Sequence, residues 1–430
     1  MVNLEKDISL LIEAGVIDQP TAIRIQQFYE KGKAEGSNRL FTIFAILGAT
    51  LVGLGIILLV AHNWDELSKL TKVGFSFLPL LIGQLASFYA MKKRPESRGW
   101  AEGSAVFLFL AIGTSISLIS QIYNIPGSIR LFLLSWLLIA APLIYLLRSS
   151  MVNLLFIAGS TWFAWENVFE NNNYTFPWLY LGLIGLTLPH YYQLFKLERG
   201  RNFRGFHNWF YPLSFTIILG SVGENNDEVL LFTYMNLFGL LYQIGQLSFF
   251  ENARLRINGW KIIGSLGMVV ILLLSSFHWF WEDLFLLSKN DLNIWISREM
   301  LSSFALMLIT ATIILFRFKR NNIRLFEIQD YLFLAFFLVF ILGVLQAELA
   351  QLLCNLLLLA LGLLLIKKGN RINHLGVLNY GLLILTALVV CRFFDTHLSF
   401  IIRGLLFIAL GFGFFYANYH LLKKRKAREI

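Results

Sequence analysis

Charge is scarce in this sequence. Only 14% of its 430 residues are Asp, Glu, Lys or Arg, against about 25% in soluble domains. With 57% of residues hydrophobic and 15% aromatic, so few charges cannot cover the apolar side chains of a water-soluble fold. Cysteine is almost absent. Cys354 and Cys391 are the only two, each inside an apolar block, which excludes a disulfide framework, a CxxC pair and a cysteine-based zinc site. The recurrent motifs of soluble enzymes are missing too. There is no GxxxxGK followed by Ser or Thr, no GxGxxG after a strand, no HExxH and no GxSxG elbow, so no catalytic residue, cofactor or metal site is expected. Alternating ten-residue strands of an outer-membrane barrel are absent. Residues 1–39 carry charges of both signs and lack the short apolar core of a cleavable signal peptide.

What is present falls in blocks of roughly twenty apolar residues, the length a helix needs to cross the hydrocarbon core. The blocks predict spans near 41–61, 72–91, 102–122, 130–147, 151–166, 176–195, 208–222, 229–249, 259–280, 299–317, 328–346, 348–366, 374–393 and 400–422. The fold class is therefore all-α, a polytopic transmembrane helical bundle of about 14 helices. The tight pair meeting at Gln346 to Glu348 could instead form one re-entrant unit. Three segments organise the chain: a cytosolic amphipathic helical hairpin at 1–39, the transmembrane domain at 40–422 and a basic tail at 423–430. In the hairpin, Leu4, Ile8, Leu11 and Ile12 mark one stripe and Gly15 is placed to end that helix. Asp18 can cap the next helix, with Pro20 in its first turn.

The net charge of +10 would suggest nucleic acid in a soluble protein, but its distribution reads as topology, and no nucleic acid partner is expected. With the amino end in the cytoplasm, the cytoplasmic segments hold 29 of the 36 basic residues, among them Lys92, Lys93, Arg94, Arg317, Lys319, Arg320 and the 423–426 run. That bias predicts an inner-membrane protein with both ends cytoplasmic. Membrane lipids are the expected partners, the basic tail suits anionic headgroups, and the hairpin is a candidate docking point for another protein. Oligomeric state is not legible.

Candidate site residues lie where polar groups meet the spans, because each costs free energy in hydrocarbon unless paired or wet. His62, Trp64 and Asp65 close the first helix on its outer side. Gln121 ends the third span, Asn236 sits in the eighth, and Glu348 begins a stripe with Gln351 and Asn355 on the twelfth. Arg392, Asp395 and Arg403 crowd the outer ends of the last two. Aromatic-acidic clusters recur at 62–66, 162–167, 278–283 and 392–395, at the outer ends of spans one, five, nine and thirteen. An aromatic belt explains the tryptophans alone; the four-helix spacing suggests an internal repeat. A His beside an Asp at a helix end ordinarily caps or hydrogen-bonds, so His62 and Asp65 read as substrate-binding candidates.

Several elements of the first 125 residues go together: Ile12-Glu13-Ala14-Gly15-Val16-Ile17, Leu47-Gly48, Gly53-Leu54-Gly55-Ile56, Ala61-His62-Asn63-Trp64-Asp65 and Ile119-Ser120-Gln121-Ile122-Tyr123. This stretch resembles the bacterial membrane-protein family catalogued as domain of unknown function 2157. The resemblance implies a multi-pass membrane protein with a short cytosolic amino end, and it implies no activity.

Three functional readings follow. The first is a transporter or flippase for a lipid-linked or amphiphilic envelope compound, which helix number and repetition favour. The second is a non-catalytic scaffold or assembly factor, and the third a membrane-embedded enzyme acting at the outer headgroup level. A midplane cavity lined by Gln121, Asn236 and Glu348 would favour the first, and a midplane sealed by Leu and Phe the second.

Overall fold

The computed structural model describes residues 12, 14–16, 18–25, 64–169, 178–196, 201–223, 226–250, 255–290, 292–320, 327–393 and scattered positions between 401 and 419. The chain divides into two compact units, residues 1–77 and 78–430. In the first, Gly15 adopts a φ of 67° and its N–H reaches Ile12 O at 3.0 Å, the left-handed helix ending glycine tolerates best. Asp18 opens the helix at 19–25, its carbonyl accepting from Thr21 N and Ala22 N. A short 3-10 turn, Trp64–Glu66, follows, and Lys72 Nζ lies 5.8 Å from the centre of the Trp64 ring.

The helices are α1 (Lys69–Lys93), α2 (Arg98–Ile122), α3 (Ile129–Leu146), α4 (Ser150–Phe169), α5 (Trp178–Lys196), α6 (Arg201–Leu219) and α7 (Asp227–Gly245). Then come α8 (Gly259–Leu274), α9 (His278–Asn290), α10 (Arg298–Arg320), α11 (Ile328–Leu345), α12 (Ala347–Arg371) and α13 (Leu375–Phe393). No strand occurs among the described residues. Apart from 259–280, every expected span from 72–91 to 374–393 coincides with a helix. The spans at 41–61 and 400–422 lie wholly or partly outside the described residues.

Seven of these helices, α1, α2, α3, α10, α11, α12 and α13, are long and apolar enough to cross a membrane, or eight if α8 and α9 count as one span. Among the described residues this is fewer than the twelve expected there, the other two of the fourteen lying wholly or partly outside them. Of the helices that fall short, α8 and α9 have only sixteen and thirteen residues, while α6 and α7 carry polar groups turned toward neighbours. In α6, His207 and Asn208 are buried, and in α7, Asn236 and Gln243 are fully buried and hydrogen-bonded. Composition alone scores such helices as too polar, whereas packing against other helices satisfies them. The pair at 328–366 forms two helices, α11 and α12, joined at the extended Gln346, each long and apolar enough to cross a membrane.

The expected span 259–280 is not one continuous helix but the bent pair α8 and α9. The chain leaves α8 at Leu274 and re-enters helix at His278 bent by 80°. The sixteen residues of α8 rise about 24 Å, and α9 then runs off sideways. Its Phe280, Trp281 and Leu284 are buried while Trp279 and Leu286 are exposed.

Around α7 and α8 the unit is built tightly. A Cβ on Gly264 of α8 would lie 2.4 Å from Tyr242 N of α7, so only glycine permits that approach. A similar crossing holds α12 to α13, where a Cβ on Gly381 would meet Gly362 O at 2.7 Å. One apolar core joins α4 through α13, and a second, including Leu133, Leu137 and Phe156, joins α2 to α5. In the main core Phe232 stacks on Phe340 at 4.3 Å and lies 6.3 Å from Phe336. Phe333, Phe336 and Phe340 are all fully buried.

Candidate functional site

Glu327, Gln329 and Asp330 open α11, and they meet residues from the ends of four other helices. From α7 come Tyr242 and Gln243, with Gln246 just beyond its last turn. Lys261 and Ser265 come from the start of α8, Lys368 from the last turns of α12, and Tyr380 from α13. These positions sit at helix ends, where hydrophobic blocks give way to polar residues. The close glycine-mediated crossings of α7 with α8 and of α12 with α13 bring the ends together.

A continuous hydrogen-bonded chain results. Lys261 Nζ donates to Gln246 Oε1 at 3.2 Å, and Gln246 Nε2 donates to the Tyr242 hydroxyl at 3.1 Å. Tyr242 donates to Gln329 Oε1 at 3.0 Å, with Glu327 Oε2 at 3.4 Å. Gln329 Nε2 donates to Ser265 Oγ at 2.7 Å, which lies 3.0 Å from the Tyr380 hydroxyl. Beside it, Lys368 Nζ pairs with Glu327 Oε2 at 2.5 Å. Burial alone would push the Glu327 carboxyl up, but the hydrogen-bonded Lys368 ammonium and the nearby Lys261 hold it below the ordinary glutamate range.

These side chains floor a pocket of about 320 Å³, whose walls include Leu255, Ile262, Leu266, Leu365, Gly376 and Val377. The walls are apolar and the floor carries two ammonium groups, one carboxylate and two phenols. Chemically it can hold a molecule with a polar head and an apolar body.

Behind the pocket, Arg317 Nη1 donates to Asp330 Oδ1 at 2.8 Å and also to Gln243 Oε1. Gln243 Nε2 donates to Asp330 O and Oδ1 at 3.0 and 3.1 Å, and Asp330 Oδ2 accepts from Glu327 N at 2.7 Å. This cluster is closed and locks the start of α11.

At the other end of α8, the break is stitched by neighbouring helices. Trp281 Nε1 donates to Ser275 O at 2.5 Å. Gln351 Nε2 and Asn355 Nδ2 of α12 donate to Ser276 O at 3.4 and 3.2 Å. Arg392 Nη2 of α13 donates to Ser276 Oγ at 3.1 Å, its guanidinium 4.7 Å from the Phe277 ring centre. Carbonyls freed by a broken helix in apolar surroundings require such donors.

The residues singled out from the sequence are dispersed. His62, Asp395 and Arg403 lie outside the described residues. Trp64 and Asp65 occupy the 3-10 turn of the first unit, Asp65 exposed. Gln121 and Glu348 are exposed at helix ends, while Asn236 is fully buried and donates to Ser303 Oγ at 2.6 Å. The structure therefore does not bring Gln121, Asn236 and Glu348 together. Arg392 and the Gln351–Asn355 stripe do converge, on the α8 break. Glu102 caps the start of α4, its carboxylate accepting from Ser150 N and Met151 N at 2.9 Å each.

The described aromatic-acidic clusters differ from one another. Trp162 Nε1 donates to Glu166 Oε1 within a continuous α4, whereas Trp281 is fully buried beyond the 80° bend. A shared four-helix repeat would give them one role.

Sequence reading passed over Lys261, Glu327, Lys368 and Tyr380 because charges at helix ends register as loop charges that set orientation. The usable signal was Tyr242 with Gln243 and Gln246, polar side chains clustered within one turn where a span ends.

Residues 9–153 match the model of the family described as Predicted membrane protein (DUF2157), the family whose resemblance the sequence carries. No curated protein and no solved structure gives a significant match. The chain is a membrane protein with several apolar helices.

Proposed function

We propose that this is a bacterial inner-membrane protein of about fourteen spans, with both ends cytoplasmic, that takes a membrane amphiphile into the pocket between α8, α11, α12 and α13. The pocket carries the proposal, with its apolar walls and its polar floor from Lys261 to Tyr380. At about 320 Å³ it suits a head group and the first part of a chain, with the remainder left in the bilayer. The basic bias of the sequence supports assigning this end to the cytoplasm, since the loops after Gly245, Arg320 and Arg371 all belong to the basic set.

On this reading the pocket is the loading site of a transporter or flippase for an amphiphilic envelope compound. A non-transporting assembly factor that merely holds a lipid is the second reading. The stack of Phe232, Phe336 and Phe340 favours it, because these rings fill the interior beyond the pocket floor.

Native mass spectrometry of the full chain released from membranes tests the binding claim. One retained amphiphile is expected in the wild type and its loss in Val377→Trp, which fills the pocket. Equal retention by both would overturn it. Proteoliposomes then separate the two readings: movement of a labelled lipid between leaflets faster than in empty vesicles supports transport, and none supports the assembly factor.

A further inference from the structure

The pocket is not neutral. Lys261 and Lys368 face one carboxylate, Glu327, which is already committed to Lys368 at 2.5 Å. Among the described residues, no carboxylate pairs with Lys261. Its ammonium reaches the amide oxygen of Gln246 and lies 5.6 Å from the centre of the Tyr242 ring. Its nearest carboxylate, Glu327, is shared with Lys368, so a half-buried ammonium whose own contacts are a neutral acceptor and an aromatic face is only partly compensated in low dielectric. The Tyr380 hydroxyl adds a rotatable donor beside Ser265. The Lys368–Glu327 pair is 29% and 27% exposed, open enough for its partner to be exchanged.

Resting on the amphiphile reading above, we propose that the pocket selects an amphiphile with an acidic head group, a phosphate or a carboxylate. Lys261 supplies the fixed cation, and Lys368 turns from Glu327 to share the incoming anion. Glu327 then acts as a built-in competitor, an anion already held where the ligand's head group sits. The apolar walls distinguish a lipid from a soluble anion, because a soluble anion gains nothing from Leu266 and Val377.

The charge logic gives variants of opposite sign. Lys261→Gln removes the fixed cation. Glu327→Gln removes the competitor, frees Lys368 and raises the pocket's charge by one. The full chain, delipidated in a neutral detergent, is offered an equal mixture of dioleoyl phosphatidylglycerol and dioleoyl phosphatidylcholine, and the retained ratio is read by native mass spectrometry. Wild type is expected to favour the anionic lipid by about tenfold, the ratio falling severalfold in Lys261→Gln and rising severalfold in Glu327→Gln.

A rise in one variant cannot come from misfolding, which would lower retention of both lipids. Retention of both lipids at equal ratio, or a preference unchanged by either variant, would overturn acidic selection and leave amphiphile binding standing. Failure to retain any lipid would overturn both. Glycerol 3-phosphate, which has the head and no acyl chain, provides the last arm. Binding as tight as that of phosphatidylglycerol would assign the site to a soluble anion and overturn the lipid assignment.

Discussion

Arg317, near the end of α10, and Asp330, in the first turn of α11, meet at 2.8 Å with Asp330 fully buried and Arg317 nearly so. The pair fixes the entry of α11, and therefore where Glu327 and Gln329 present themselves to the pocket. A buried ion pair contributes less than its Coulomb energy suggests, but removing one partner leaves an uncompensated charge, at a cost of roughly 3–5 kcal/mol. Asp330→Leu should therefore lower the melting temperature sharply in detergent, and the double variant Arg317→Met/Asp330→Leu should recover most of the loss. Additive losses in the double variant would contradict the pairing.

Gly343 of α11 provides the slot for the Trp281 indole. A Cβ at Gly343 would lie 2.3 Å from Trp281 Cε3, and Trp281 is fully buried. Gly343→Ala is expected to destabilise by about 1–3 kcal/mol through overpacking, with Trp281→Phe in the same chain relieving part of it. A double-mutant cycle in thermal unfolding measures the coupling; zero coupling would mean the indole is not seated there.

The break between α8 and α9 depends on donors from outside the helix. Asn355→Leu removes the closer of two amide donors to Ser276 O, leaving a buried carbonyl poorly satisfied at a cost of about 1–3 kcal/mol. Backbone exchange around 275–281 should rise in this variant by hydrogen-exchange mass spectrometry, while α11 stays protected. An unchanged exchange pattern would show that the break is held by other contacts.

Glu327 carries a pH signature. Its carboxyl lies below the ordinary range because Lys368 and Lys261 outweigh burial. A depressed carboxyl contributes stability that is present above the unfolded value of about 4.3 and lost as pH falls through the lower folded value. The difference in melting temperature between wild type and Glu327→Gln should stay level from neutral pH to about 4.5 and close only below that. Closure nearer neutral pH would indicate a raised carboxyl and no working ion pair with Lys368.

Segmentation was legible because hydrophobic block length is a local property: α10 from 298 to 320 and α11 from 328 to 345 fall where the blocks at 299–317 and 328–346 predict them. The break at 275–277 was hidden because Ser275 and Ser276 are neither proline nor glycine. What permits it is three donors from α12 and α13, distant in sequence. Arg317 illustrates the same limit. It reads as one of the cytoplasmic cations that set orientation, yet it is buried against Asp330, and sequence alone does not show that Gln243 faces both. Gln351, Asn355 and Arg392 were visible as misplaced polarity, but their shared target is Ser276, its carbonyl for the two amides and its hydroxyl for Arg392, which no sequence pattern marks.

The central claim is that the pocket floored by Lys261, Glu327, Gln329 and Tyr380 holds an amphiphile. A structure of the full chain in a lipid nanodisc containing phosphatidylglycerol tests it most directly. Elongated density is expected, with its head within hydrogen-bonding distance of Lys261 Nζ and its tail leaving between Leu266 and Val377. A map that resolves lipids around the outer helices while the pocket is filled by the protein's own side chains would contradict it.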